Sequence, residues 1–145
     1  MSITQRLVGV HFRRYQPWVK AGCFVFVSGQ FRLVNGVLKY EGTLGESLDD
    51  IDGYKAARLA GINVLAQLRE ATQQFDCLNH IARLDGHVQC VPNWSNHAKV
   101  LDGASDLFKQ VLYDRPGHAR TAFGQIALPL NASVELVVTA VLKSD

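Results

Sequence analysis

Apolar and polar positions along this chain repeat with two periods, and the switches between them mark out its elements. Gly22-Cys23-Phe24-Val25-Phe26-Val27-Ser28 is a short run of aromatic and β-branched residues ending at Gly29, the composition of a buried strand. Asn35-Gly36 signals a tight turn, with Val37 to Tyr40 as a return strand. A polar, Gly-containing loop from Glu41 to Asp50 follows. Ser47 and Asp49 then offer helix caps, and Tyr54, Ala57, Gly61, Val64, Leu68, Ala71 and Phe75 step by three and four, predicting a long helix whose stripe packs on a sheet face. From Leu78 to Val91 the period becomes two: Ala82, Leu84, Gly86, Val88 and Cys90 point one way, Arg83, Asp85, His87 and Gln89 the other. Pro92-Asn93 ends that strand. Ser95 or Asn96 can cap a second helix with the apolar face Val100, Leu101, Ala104, Leu107, Phe108 and Val111. After Pro116-Gly117 come two strands, about His118 to Ala127 and Ser133 to Leu142, the last with Val134, Leu136, Val138, Ala140 and Leu142 on one face.

Strands, helix, strand, helix and two strands predict an α+β layer, a mixed sheet with two helices packed on one face. The second sheet face carries valines beside Glu135 and is not expected to stand bare to water, which points to subunit association.

At 145 residues, 48% hydrophobic and 19% charged, the chain has the size and composition of one globular domain, taken as residues 1–145. A net charge of +2 gives little attraction for nucleic acid, and Arg13-Arg14 is too short a basic cluster to change that. The Met1 to Val10 segment has no long apolar core, and no stretch approaches 18 apolar residues, so neither secretion nor a membrane span is expected. Three cysteines, Cys23, Cys77 and Cys90, cannot all pair internally, which suits a reducing cytoplasm.

Chemistry concentrates near the C-terminus. Ala119-Arg120-Thr121-Ala122 through Leu128-Pro129 to Val134-Glu135 sets one arginine and one glutamate on two apolar strands, read as neighbours. A buried arginine or glutamate is costly without a partner or a task. The pair could hold a carboxylate-bearing substrate and move a proton or water beside it, or it could form a structural ion pair between strands. Cys77, His80, His87 and Cys90 have zinc-like spacing, but strand positions three apart face opposite sides, so no metal site is expected. Nucleophile-elbow, phosphate-loop and dinucleotide fingerprints are absent from the sequence. Asp102-Gly103-Ala104-Ser105-Asp106 falls in the second helix as solvated surface or as the rim of a cleft. Trp18 either packs in the core or lines a cleft, and Ser28-Gly29-Gln30 ends a strand where glycine lets a ligand approach the main chain.

Four blocks in order, Ser28-Gly29-Gln30, Gly53-Tyr54-Lys55-Ala56-Ala57-Arg58 through Asn63, Gly103 to Leu107, and Ala119-Arg120 through Val134-Glu135, resemble the RidA/YjgF family of reactive-intermediate deaminases. The resemblance spans nearly the whole chain and looks like a longer branch of the family. It implies a chorismate-mutase-like fold and a homotrimer whose sheets line a central barrel, with ligand clefts between subunits. By the same resemblance Arg120 matches the arginine that grips the substrate carboxylate, and Glu135 the glutamate that positions or activates water. Ser28, Gly29 and Gln30 match the cleft-lining strand end, and Ala122 a main-chain ligand contact. Trp18 is read as standing where the deaminases have a tyrosine, Phe31 replaces a common proline, and Gly103 lies near a usual asparagine.

The function so implied is hydrolysis of reactive 2-imino acids to keto acid and ammonia, with no cofactor and no metal. Two rivals stand beside it: a small-carboxylate-binding protein without turnover, and an RNA-cleaving protein, against which the near-neutral charge argues.

Overall fold

A computed structural model of the chain describes residues 15–144. Arg13-Arg14 and the Met1 to Val10 segment lie outside the described residues. In chain order the elements are β1 (Trp18–Ala21), β2 (Phe24–Gln30), β3 (Leu33–Val34), β4 (Val37–Leu38), α1 (Asp50–Ala71), β5 (Leu78–Gln89), α2 (His97–Val111), β6 (Ala119–Gln125) and β7 (Val134–Leu142). One 3₁₀ turn, Pro129–Asn131, precedes β7.

Five strands form one sheet in the order β1-β2-β7-β5-β6, while β3 and β4 make a separate two-stranded ribbon. That ribbon is shorter than the return strand expected to Tyr40, and Asn35 and Gly36 turn it with φ of 52° and 77°. In the main sheet β5 and β6 are parallel and every other pair is antiparallel. The order corrects one expectation: Arg120 on β6 and Glu135 on β7 are not on neighbouring strands, because β5 lies between them. The reason is the crossover. Parallel neighbours need a connection as long as a helix, which α2 supplies between β5 and β6. The Pro-containing turn after β6 therefore passes over the end of β5 instead of closing a hairpin. Gln89 holds that passage: its Oε1 accepts from the Leu128 N–H at 2.7 Å, and its Nε2 donates to Asn131 Oδ1 at 2.7 Å. Expected among the outward polar residues, Gln89 is instead buried and hydrogen-bonded.

Period-two burial is clear in β2, where Val25 and Val27 are buried between exposed Phe24 and Phe26, and in β7, where Val134, Leu136, Val138 and Ala140 are buried. In β5 the expected phase holds only from Leu84 onward. A register irregularity between Ile81 and Arg83 puts Ile81 into the core and leaves Ala82 half-buried, since one extra residue reverses the alternation on its far side.

Both helices cover the face formed by these buried residues. Asp49 starts α1 by accepting from the Asp52 N–H at 2.8 Å, and Asp52 reaches back to the Asp49 N–H. The helix stops at Ala71, short of the expected Phe75, because Gln73, Gln74 and Phe75 take φ of 53°, 60° and 73°. Small residues on α1 (Gly53, Ala57, Ala60 and Gly61 among them) let α2 come close. At Gly103 the approach is tight enough that a Cβ would overlap the Tyr54 carbonyl oxygen. On the opposite sheet face no helix packs among the described residues, and Val19, Phe24, Phe26 and Phe123 are exposed there. Among the described residues no helix is long and apolar enough to cross a membrane.

Candidate functional site

The sheet face opposite α1 and α2 carries the first cluster. Glu135 on β7 sits opposite His87 on β5, and His87 in turn sits opposite Phe123 on β6. The side chain of Glu135 lies against Gly29, where any Cβ would collide with its Oε1. β2 is irregular here, its register shifting between Val27 and Gln30, so Ser28 and Gly29 leave the regular ladder. Glycine at this position is thus the residue that admits the glutamate. Half-buried and without an ion pair among the described residues, the Glu135 carboxyl is pushed above its ordinary value by burial, with His87 pulling the other way.

Ser28 does not present a free hydroxyl. Its Oγ donates to the Gln16 carbonyl at 2.6 Å and its N–H donates to the Pro17 carbonyl at 2.9 Å. These two bonds fasten the segment before β1, and that segment brings Tyr15 to the site. Burial, and then the charge of Glu135, push the Tyr15 phenol above its ordinary value. Gln30 turns back on its own strand, donating to the Ser28 carbonyl at 2.9 Å.

Trp18, read either as core packing or as a cleft wall, lies on the helix side. It pairs with Val27, whose side chain is in the core, and its ring packs against that core with Lys20 above it at 5.9 Å. The phenol near Glu135 comes from Tyr15, three residues earlier.

Arg120 and Ala122 also lie on the helix side, paired with Leu84 and Gly86, whose own positions face the core and α2. Across two strand spacings and three residues, Arg120 and Glu135 are separated by roughly 14 Å along the sheet, on opposite faces. The guanidinium of Arg120 is held by α2. Its Nη1 donates to Asp102 Oδ1 at 2.9 Å and to Ser105 Oγ at 3.0 Å, and its Nη2 donates to the Ala98 carbonyl at 3.3 Å. The ion pair left open by the sequence thus exists, but its acid is Asp102 and not Glu135. Ser105 Oγ also lies 3.0 Å from His118 Nε2. Burial and then Arg120 push His118 below its ordinary value. Ser105, His118 and Arg120 share the wall of a cavity of about 500 Å³ with Ile81, Phe108 and Leu112. Asp106 instead accepts from the Tyr54 hydroxyl at 2.8 Å, tying the helices together. Asp102 to Asp106 is therefore more than solvated surface: Asp102 and Ser105 brace Arg120, and Ser105 and Asp106 line the cavity.

Among the described residues no three His, Cys, Asp or Glu side chains converge as a metal site. His87 stacks on Phe123 on the open face, while Cys90 turns towards His97 of α2, its Sγ 3.5 Å from Nε2.

An α+β sheet with two helices on one face, a half-buried carboxyl on the other and a helix-braced arginine on the edge strand define a chorismate-mutase-like protein. Residues 4–142 match the family model described as YjgF/chorismate mutase-like, putative endoribonuclease, and the chain belongs to this YjgF/RidA family. It is 34% identical over 125 residues to Protein TCP17 of Trypanosoma cruzi, covering 84% of this chain and 77% of TCP17. Among solved structures it is similar to the protein Atu1372 of unknown function from Agrobacterium tumefaciens, with TM-score 0.87, 32% identity, and 96% and 91% of the two chains covered. A putative endoribonuclease from Shewanella oneidensis MR-1 is similar as well, with TM-score 0.86, 34% identity, and 90% and 87% covered.

Proposed function

We propose that this protein hydrolyses enamines and imines of small 2-imino acids, releasing keto acid and ammonia, at clefts formed between the subunits of a homotrimer. The observation that carries this reading is Glu135: a half-buried carboxyl, unpaired among the described residues, with raised proton affinity and its side chain against Gly29. Such a group suits taking a proton from water and returning it to a departing amine. Tyr15 adds a phenol beside it, and the Ser28-Gly29-Gln30 irregularity shapes the wall.

Arg120 supplies the carboxylate grip, with the Ala122 main chain next to it on the exposed edge strand. Because Arg120 and Glu135 face opposite sides of one sheet, one small ligand can reach both only if they come from different chains. The exposed aromatic and valine residues of the open face give neighbouring copies a surface to bury. The imine carbon is already electrophilic, so water and an acid–base pair suffice for the reaction.

A second reading, binding of small carboxylates without turnover, needs only the two Arg120 donors that no described residue takes up. Glu135→Gln separates the two. The imine of 2-ketobutyrate is generated in situ and its decay followed. For the deaminase, wild type speeds decay and the variant loses about 10²–10⁴-fold while still binding 2-ketobutyrate. Wild type that binds 2-ketobutyrate but leaves imine decay unchanged sinks the deaminase in favour of the binding protein.

A further inference from the structure

His87 stands directly across from Glu135 in the register of β5 and β7, on the same open face. Its ring is fixed from two sides. Phe123 stacks on it, with centroids 4.9 Å and planes 12° apart, and Gln125 Nε2 lies 3.0 Å from its Nδ1. With the amide nitrogen donating, Nδ1 is the acceptor and the neutral ring carries its proton on Nε2. Rotated by 180°, the same amide presents its oxygen to a protonated Nδ1, and in that setting Nε2 is the nitrogen that gives and takes a proton. Nε2 has no hydrogen-bond partner among the described residues. The imidazole and the Glu135 carboxyl interact electrostatically yet form no ion pair with each other. A base and a proton-bearing group thus stand side by side on one face.

We propose that His87 is the second acid–base group of the Glu135 site, trading protons with the substrate nitrogen and oxygen while Glu135 handles water. This role rests on the deaminase reading. Imine hydrolysis needs two such partners. In addition, Glu135 removes a proton as the water oxygen bonds to the imine carbon. The C=N π pair moves to nitrogen, which takes a proton from the His87 imidazolium, giving a neutral carbinolamine. In collapse, the proton on Glu135 passes to the amine nitrogen and the hydroxyl proton returns to His87 Nε2. The C–N bond breaks with its pair on nitrogen, the carbonyl forms, ammonia leaves, and both residues regain their starting states.

Among the described residues the charged and titratable groups around His87 are few. Glu135 faces it from β7, with Tyr15 beyond that carboxyl; along β5, Asp85 is two residues away but is held by Arg83 at 2.9 Å. From β6 it meets only Phe123 and Gln125, neither of which titrates.

The test is imine decay, recorded as kcat/KM against pH for wild type, His87→Gln and His87→Ala, with 2-ketobutyrate binding and thermal melting as controls. Expected is a His87→Gln variant that folds and binds but is slowed about 10²-fold and whose profile differs in shape from that of wild type. Added imidazole should restore part of the His87→Ala rate. A His87→Gln variant matching wild type in rate and profile overturns the role of His87 and leaves the deaminase standing. A slow His87→Ala variant unmoved by imidazole also overturns it, because that marks a packing role. Wild type that fails to speed imine decay removes the deaminase reading, and this proposal with it.

Discussion

Two titratable groups show how one sheet separates opposite chemistries. Burial raises Glu135, so the folded protein holds that proton more tightly than the unfolded chain does. Its contribution to stability is full below the ordinary carboxylate value and is lost as pH rises through the folded value. Glu135→Gln removes this loss, so the variant's melting temperature should gain on wild type as pH rises above the ordinary carboxylate value; a pH-independent difference in scanning calorimetry would contradict it. His118 has the opposite sign: lowered by burial and Arg120, it adds stability above the ordinary imidazole value that is lost as pH falls through its folded value. Arg120 engages three of its five donors with Asp102, Ser105 and Ala98, leaving two for a ligand carboxylate. An ammonium cannot reproduce that two-pronged edge. Arg120→Lys is expected to lose about 2–5 kcal/mol of 2-ketobutyrate binding in titration calorimetry. Equal binding would make Arg120 only a brace for α2. Glu135, Gly29 and Arg120 were legible as residues of note because each is an exception: a charge on an apolar strand, or a glycine closing one. Tyr15 and His87 were not, because aromatic and polar residues near strands carry no such contradiction.

The two helices and the larger strands were readable because burial on one face imposes a period on the sequence. What periodicity cannot carry is register and adjacency. The irregularity at Ile81–Arg83 reverses the phase of half a strand, yet Ala82 and Ile81 are both plausible core residues. The placement of β5 between β6 and β7 is set by the α2 crossover, so two segments adjacent in sequence and joined by a short turn read as a hairpin when they are not. That single misplacement turned a pair on opposite faces into apparent neighbours. The helix pair was legible only in outline, since Gly103 shows its purpose only when the Tyr54 carbonyl is seen against it. Gly103→Ala should therefore cost about 1–3 kcal/mol through overpacking, read as a lower urea midpoint with unchanged slope. A neutral effect would mean that α1 and α2 can part without penalty.

At the scale of the molecule, the two helices cover one side of the sheet, and Phe24, Phe26, Val137, Val141 and Glu135 lie on the other. A trimer is the expected state, and sedimentation giving a stable monomer at micromolar concentration would defeat it along with the shared cleft. The most direct test of that cleft mixes two disabled chains. Arg120→Ala lacks the carboxylate grip and Glu135→Gln lacks the water-handling acid, so each alone should be inactive on the imine of 2-ketobutyrate. If the two groups meet from different subunits, a mixed trimer contains clefts in which Arg120 from one variant faces Glu135 from the other, and refolding the variants together restores imine hydrolysis. Mixed trimers, verified by mass, that remain as inactive as their parents would contradict the account.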